Sequence, residues 1–178
     1  MPIPPDKKHN LEILISTTKK NNLDFIENIF FENSQHNFPI IIVNQEGKIK
    51  NSNNKNIKII NTETKGLSKS RNMAIKNSSK KFCLLADDDI IYKNGFYKTI
   101  EEAFEENLDA DIITFMMVDK NGKHFKKYPN NIKHNYKSIR GVNSVVIAFK
   151  RDSILENNIQ FDNLFGLGAT FETGEEYL

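Results

Sequence analysis

At 178 residues, 38% hydrophobic and 27% charged, the chain is long enough to bury a core of its own and too apolar to stay disordered. A net charge of +2, with lysines that read as scattered among nearly as many acids, gives no case for a nucleic-acid partner, and no run approaches the roughly 18 apolar residues of a membrane span. Residues 1–10 (MPIPPDKKHN) lack the apolar stretch of a secretory signal and the lone Cys83 has no internal disulfide partner, so the expected setting is the cytoplasm, with a peripheral contact at the inner face of the membrane left open.

Residues 11–17 (LEILIST) are an apolar run suited to a buried first strand. Residues 21–33 space Leu23, Ile26 and Phe30 by three and four, with Phe25 and Ile29 beside them, which is a helical period. Residues 38–45 (FPIIIVNQ) read as a second strand, 46–56 as a polar turn region and 57–60 (IKII) as a third strand. Residues 66–79 read as a helix opened by Gly66, offering Leu67, Ala74 and Ile75 to the core. Residues 81–86 (KFCLLA) form a central fourth strand, in which Phe82 and Leu84 make Cys83 a small core residue rather than a nucleophile. Phe96, Ile100 and Phe104 mark a helix over 95–106, and residues 111–118 and 144–150 read as further strands. Between those two lies a long polar stretch, a functional loop or a poorly ordered one, whose His124 and His134 read as surface residues. The alternation of strand and helix predicts one α/β, Rossmann-like domain over 11–178 with a mostly parallel sheet, after an extension at 1–10.

The sharpest local feature is Asp87-Asp88-Asp89, directly after the fourth strand. Ligands of open α/β sheets bind outside the carboxyl ends of the strands. Three adjacent carboxylates repel one another, and a hard divalent cation, Mg²⁺ or Mn²⁺, is a natural partner for them. If extended geometry persisted, Asp87 and Asp89 would point together and Asp88 away. The competing reading is a solvated acidic turn or a helix cap. About fifteen residues upstream, Gly66-Leu67-Ser68-Lys69-Ser70-Arg71-Asn72 opens a helix. A helix start offers free N–H groups to an anion and Arg71 a planar cationic fork; alternatively Ser68 is a cap and Arg71 a surface cation.

Taken together, NTETKGLSKSRNMAIKNSSKKFCLLADDDIIY resembles the core of glycosyltransferase family 2, whose members carry a glycine, small residues, Arg-Asn, a helix, a hydrophobic strand and a DxD motif. LEILISTT resembles the family's first strand, and IIIVNQ its second, which normally ends in an aspartate near the nucleobase where Asn44 stands here. FDNLFGLGATFETGEEYL resembles the acceptor-side segment, where a glycine loop precedes an acidic pair, usually Glu-Asp, whose second member is the general base. Here the pair is Glu175-Glu176, within a sequence that also has the form of a capping box from Thr173. Members usually continue beyond this point, so the resemblance implies a chain cut short at its carboxyl end.

The resemblance implies a GT-A fold and transfer of a sugar from a nucleoside diphosphate sugar, a UDP-sugar, to a saccharide or other hydroxyl acceptor with inversion, in polysaccharide biosynthesis. It implies Asp87 and Asp89 as metal ligands, Glu176 as base ahead of Glu175, and Arg71 near the diphosphate. Ser16, Thr18, Asn44, Gly66, Ser70 and Asp88 would complete the nucleotide-sugar site. Two alternatives stand beside it: a module that binds a nucleotide sugar without turnover, and a DxD phosphohydrolase, whose motif would follow the first strand rather than the fourth.

Overall fold

The computed structural model describes residues 9–33, 37–128 and 133–175. A six-stranded sheet runs through it in the order β3-β2-β1-β4-β6-β5. The strands are β1 (Leu11–Thr18), β2 (Ile40–Gln45), β3 (Ile57–Thr62), β4 (Phe82–Asp87), β5 (Ile112–Thr114) and β6 (Ile147–Lys150). β1 to β4 are parallel, while β6 runs antiparallel to both β4 and β5. The helices are α1 (Asp24–Ile29), α2 (Leu67–Asn77), α3 (Phe96–Glu106) and α4 (Arg151–Glu156).

The central strands β1, β2 and β4 are covered on both faces, which is why they read as continuous apolar runs rather than as alternations. Strand geometry still sorts the side chains by parity. Leu11, Ile13 and Ile15 join Ile40, Ile42, Phe82 and Leu84 against Phe25 and Ile29 of α1 and Phe96, Ile100 and Phe104 of α3. On the other face Leu14, Ile41, Val43, Cys83 and Leu85 pack against Ala74 and Ile75 of α2 and Ile154 of α4. The Phe82 and Phe104 rings stack with centroids 4.4 Å apart, an anchor worth several kcal/mol by area burial, at roughly 25 cal/mol per Å².

Four elements differ from expectation. The strand expected over 111–118 ends at Thr114, because it lies at the sheet edge with a single neighbour and its continuation exposes Met116. Ser144–Val146, expected as strand, is a 3₁₀ turn leading into β6. The helix expected over 21–33 is helical at 24–29 only. Beyond it a 3₁₀ turn, Phe31–Asn33, points the Asn33 amide at the carbonyls of Tyr92 and Lys93. α4 had no visible period, since only Ile154 of its six residues is buried. No helix among the described residues is long and apolar enough to cross a membrane.

Candidate functional site

The parallel strands β1, β2 and β4 all deliver their carboxyl ends to one edge of the sheet. Register sets Ser16 of β1 opposite Asp87 of β4, and parity sends Asp87 to the face that α2 covers, with Cys83 and Leu85. There it meets Arg71. This side chain is only 2% exposed and is held from three directions. Nη1 donates to Glu175 Oε1 at 3.0 Å, Nη2 donates to Ser144 Oγ at 2.6 Å, and Nη2 lies 3.5 Å from Asp87 Oδ1. The Phe161 ring lies alongside, 5.5 Å from the guanidinium carbon. Arg71 is thus an internal junction rather than a surface cation, and its fork ties α2, the end of β4, the 144–146 turn and the Glu175 segment together.

At 3.5 Å the guanidinium gives Asp87 charge but no hydrogen bond, and Asp87 Oδ1 is buried without a hydrogen-bonding partner. Burial pushes the Asp87 carboxyl above its ordinary range; Arg71 pulls it back, and the neighbouring Asp89 and Asp88 add to the rise. A buried carboxylate oxygen without a hydrogen-bond donor is costly, and here the Arg71 charge offsets only part of that cost. The extended geometry does not persist through the triplet: β4 ends at Asp87, and the next two residues form a turn. Asp88 is drawn back over β1, where it accepts from the Thr17 hydroxyl and pairs with Lys20 Nζ at 2.9 Å. Asp89 is exposed. Among the described residues no group of three or more His, Cys, Asp or Glu side chains is arranged to hold a metal, so any cation here would need oxygen ligands from elsewhere.

The remaining candidates fall into two groups. Thr18 is exposed at the end of β1, with its hydroxyl on the Gln45 carbonyl at 3.1 Å. Ser16, Ser70 and Asn44 are buried and bonded within the protein. Ser70 Oγ donates to Ser16 Oγ at 2.9 Å. Asn44, fully buried, accepts from Lys20 N at 3.1 Å and donates to Lys20 O at 2.9 Å and to Asn61 Oδ1 at 3.0 Å. Gly47 lies against the same Lys20 backbone, where an added Cβ would come within 2.6 Å of the carbonyl oxygen. Asn44 therefore shapes the loop after β1.

Gly66 caps α2 at φ 118°, a conformation that suits glycine. The helix start is covered: Leu67 N–H donates to the Leu167 carbonyl at 2.9 Å, and Ser68 Oγ donates to the Phe165 carbonyl at 2.7 Å instead of capping the helix. Asn72 clips Phe161 N–H and carbonyl at 2.9 and 2.8 Å. Gly166 lets the two segments meet, since a Cβ there would stand 3.3 Å from Ser68 Oγ at a φ of 96°. Glu175 is buried on Arg71, whereas Glu176 lies outside the described residues. Sequence reasoning missed Thr17, Lys20 and Ser144. Thr17 adjoins a chosen position in the same Ser/Thr run, but no pattern announces Lys20 or Ser144, which are joined to the site only by folding.

The family model for glycosyl transferase family 2 matches residues 7–167. No curated protein matches by sequence. Among solved structures, S. aureus TarS 1–349 is similar with a TM-score of 0.63 at 18% identity, covering 94% of this chain and 52% of that one. The same TarS fragment in complex with UDP gives 0.60 at 18% identity over 94% and 52%. In complex with UDP-GlcNAc it gives 0.58 at 18% over 85% and 48%. The chain spans about half the length of these structures, and likeness at this identity is likeness of fold.

Proposed function

The chain belongs to glycosyl transferase family 2, and from that premise we propose that it transfers a sugar from a nucleoside diphosphate sugar, a UDP-sugar, to an acceptor hydroxyl with inversion and with the help of a divalent cation. The observation that carries this reading is the Asp87 carboxyl at the carboxyl end of a central strand, whose buried Oδ1 has the Arg71 charge at 3.5 Å and no hydrogen-bond donor, with the exposed Asp89 two residues on. Asp87 and Asp89 offer hard oxygen ligands that fit Mg²⁺ or Mn²⁺, and diphosphate oxygens would complete the coordination. A cation held there supplies Lewis-acid stabilisation of the charge that grows on the leaving diphosphate.

The protein's own residues divide the remaining work. Arg71 positions Asp87 and fixes Glu175, so its effect on the diphosphate is through Asp87 and through its field rather than by direct contact. Asp88, anchored by Lys20 and Thr17, holds the β1 and β4 loops at a fixed separation around the donor. Thr18, exposed at the end of β1 with its hydroxyl on the Gln45 carbonyl, borders the nucleoside, while Ser16, Ser70, Gly66 and Asn44 shape the floor and the loop beside it. Since Glu175 is bound to Arg71 at 3.0 Å, Glu176 is the carboxylate left to accept the acceptor hydroxyl's proton as the new bond forms. A thermal-shift panel of UDP, GDP and CDP, each with and without Mn²⁺, tests the donor reading. Stabilisation by a nucleotide only when Mn²⁺ is present, reversed by EDTA, is expected. Equal shifts without metal would remove the cation, and no shift with any nucleotide would remove the donor. Release of UDP from a UDP-sugar in the presence of acceptor then separates turnover from binding alone.

A further inference from the structure

The lysines are scattered along the chain, but the acids that balance them are not. Residues 119–143 hold six lysines and one arginine against a single aspartate, although the whole chain is only +2, so everything outside this segment is net acidic. The described part of the segment borders an open groove of about 1220 Å³ on the α2 face of the sheet. Its floor is apolar, with Leu85, Phe149 and Phe161, and its rim carries Lys126, Lys127, Lys133 and Lys137. Lys126 anchors the segment by bonding the Gly141 carbonyl and Asn143. Lys133 reaches only the exposed Asp109 at 3.6 Å, a pair that water largely screens. Lys127 and Lys137 are exposed and meet no carboxylate among the described residues. Besides Asp109, the acid on the lining is Glu175, and Arg71 holds it at 3.0 Å. The lining also includes Leu85, two residues before Asp87 on the same face of β4.

We propose that this groove takes an anionic acceptor, a saccharide chain bearing phosphate or carboxylate groups, and that Lys126, Lys127, Lys133 and Lys137 on its rim supply the positive field that recruits and orients it. The proposal rests on the transferase reading, since it is the acceptor of that reaction which the groove would lead toward the donor. A concave site lined with one sign of charge over low-dielectric walls focuses its field and raises the local concentration of an oppositely charged ligand. Flexible lysine ammonium groups act as point charges suited to repeated anionic units without demanding one fixed geometry. A neutral acceptor would gain nothing from this arrangement.

The test uses the full chain and labelled polyphosphate and polygalacturonate oligomers, with neutral dextran, phosphatidylglycerol vesicles and a single-stranded RNA of matched charge as comparators. Binding is followed by fluorescence anisotropy, or by co-sedimentation for vesicles, at low and high salt. At least one of the two anionic oligomers is expected to bind and dextran not to. K127E/K137E should weaken that binding at least tenfold and K127Q/K137Q by less, with melting temperature and UDP–Mn²⁺ affinity unchanged in both. Which oligomer binds more tightly tells phosphate from carboxylate. Equal binding of dextran, or undiminished affinity in both double variants, overturns the proposal. So does binding confined to vesicles, which makes the groove a membrane contact, or a clear preference for RNA. Loss of UDP binding in the wild-type chain while the oligomers still bind would instead sink the donor reading and leave the groove.

Discussion

Asp87 sits on a central strand with its side chain two-thirds covered and its buried Oδ1 within charge distance, but not hydrogen-bonding distance, of Arg71. A carboxyl whose pKa is raised by folding favours the fold fully below its unfolded value and loses that contribution as the pH climbs through the folded value. Burial is the leading cause of the rise from 3.8 at Asp87, and Arg71 only partly offsets it, so at neutral pH its charge weighs against the fold. Asp87→Asn should therefore melt no lower than wild type in EDTA, with an advantage that widens as the pH rises above the ordinary carboxylate range, while it loses Mn²⁺-dependent nucleotide binding. A variant that melts lower at pH 7 would show that the Arg71 pair outweighs burial. The two glutamates separate by the same logic. Glu175 is the buried partner of a buried guanidinium, and removing one charge of such a pair costs on the order of 3 kcal/mol. Glu175→Gln should lower the melting temperature clearly. Glu176→Gln should leave melting and donor affinity intact and reduce transfer by about 10² to 10⁴. The reverse pattern, a stable but dead Glu175→Gln beside an active Glu176→Gln, would move the base by one residue.

Among the elements, the loop after β1 shows what an unexpected residue does to its surroundings. Where the family resemblance leads one to expect an aspartate, Asn44 donates to both Lys20 O and Asn61 Oδ1. Asn44→Asp would point a carboxylate at two acceptors in a fully buried position. It should cost more than about 2 kcal/mol in urea unfolding and loosen the Lys20 loop that anchors Asp88. An unchanged unfolding midpoint would mean that this network rearranges freely. The strands β1, β2 and β4 were legible because both faces are covered, which makes each an apolar run, and the Asp triplet was legible because it ends such a run. β5 was overextended because an apolar run does not say where the neighbouring strand stops. α4 was missed because one buried residue in six makes no period. The Arg71 junction was invisible for another reason: Ser144 and Glu175 lie 73 and 104 residues from Arg71, and no local pattern links them to the helix that holds it.

At the scale of the molecule, the edge that carries Ser16 and Asp87 and the core are parts of the same strands, so a ligand bound at that edge would be felt in the core as stability. Cys83 reports on this, being the only cysteine of the chain and buried in β4 four residues before Asp87. Burial pushes its thiol up to about 12, so the folded chain offers neither thiolate nor access to a thiol reagent at pH 8. β4 lies between β1 and β6 and contributes side chains to both cores; exposing Cys83 therefore requires opening most of the fold rather than a local fluctuation. Labelling of Cys83 in native buffer should be slow, should accelerate steeply through the unfolding transition in urea, and should track global stability. A ligand that binds only the folded form at a hundred times its Kd adds about 2.7 kcal/mol, which slows labelling by about a hundredfold when opening is pre-equilibrated. UDP with Mn²⁺ should produce that slowing in wild type but not in Asp87→Asn. Fast labelling of the native chain, or labelling indifferent to ligand at saturating occupancy, would mean that β4 opens on its own and that the sheet does not transmit donor binding to its core.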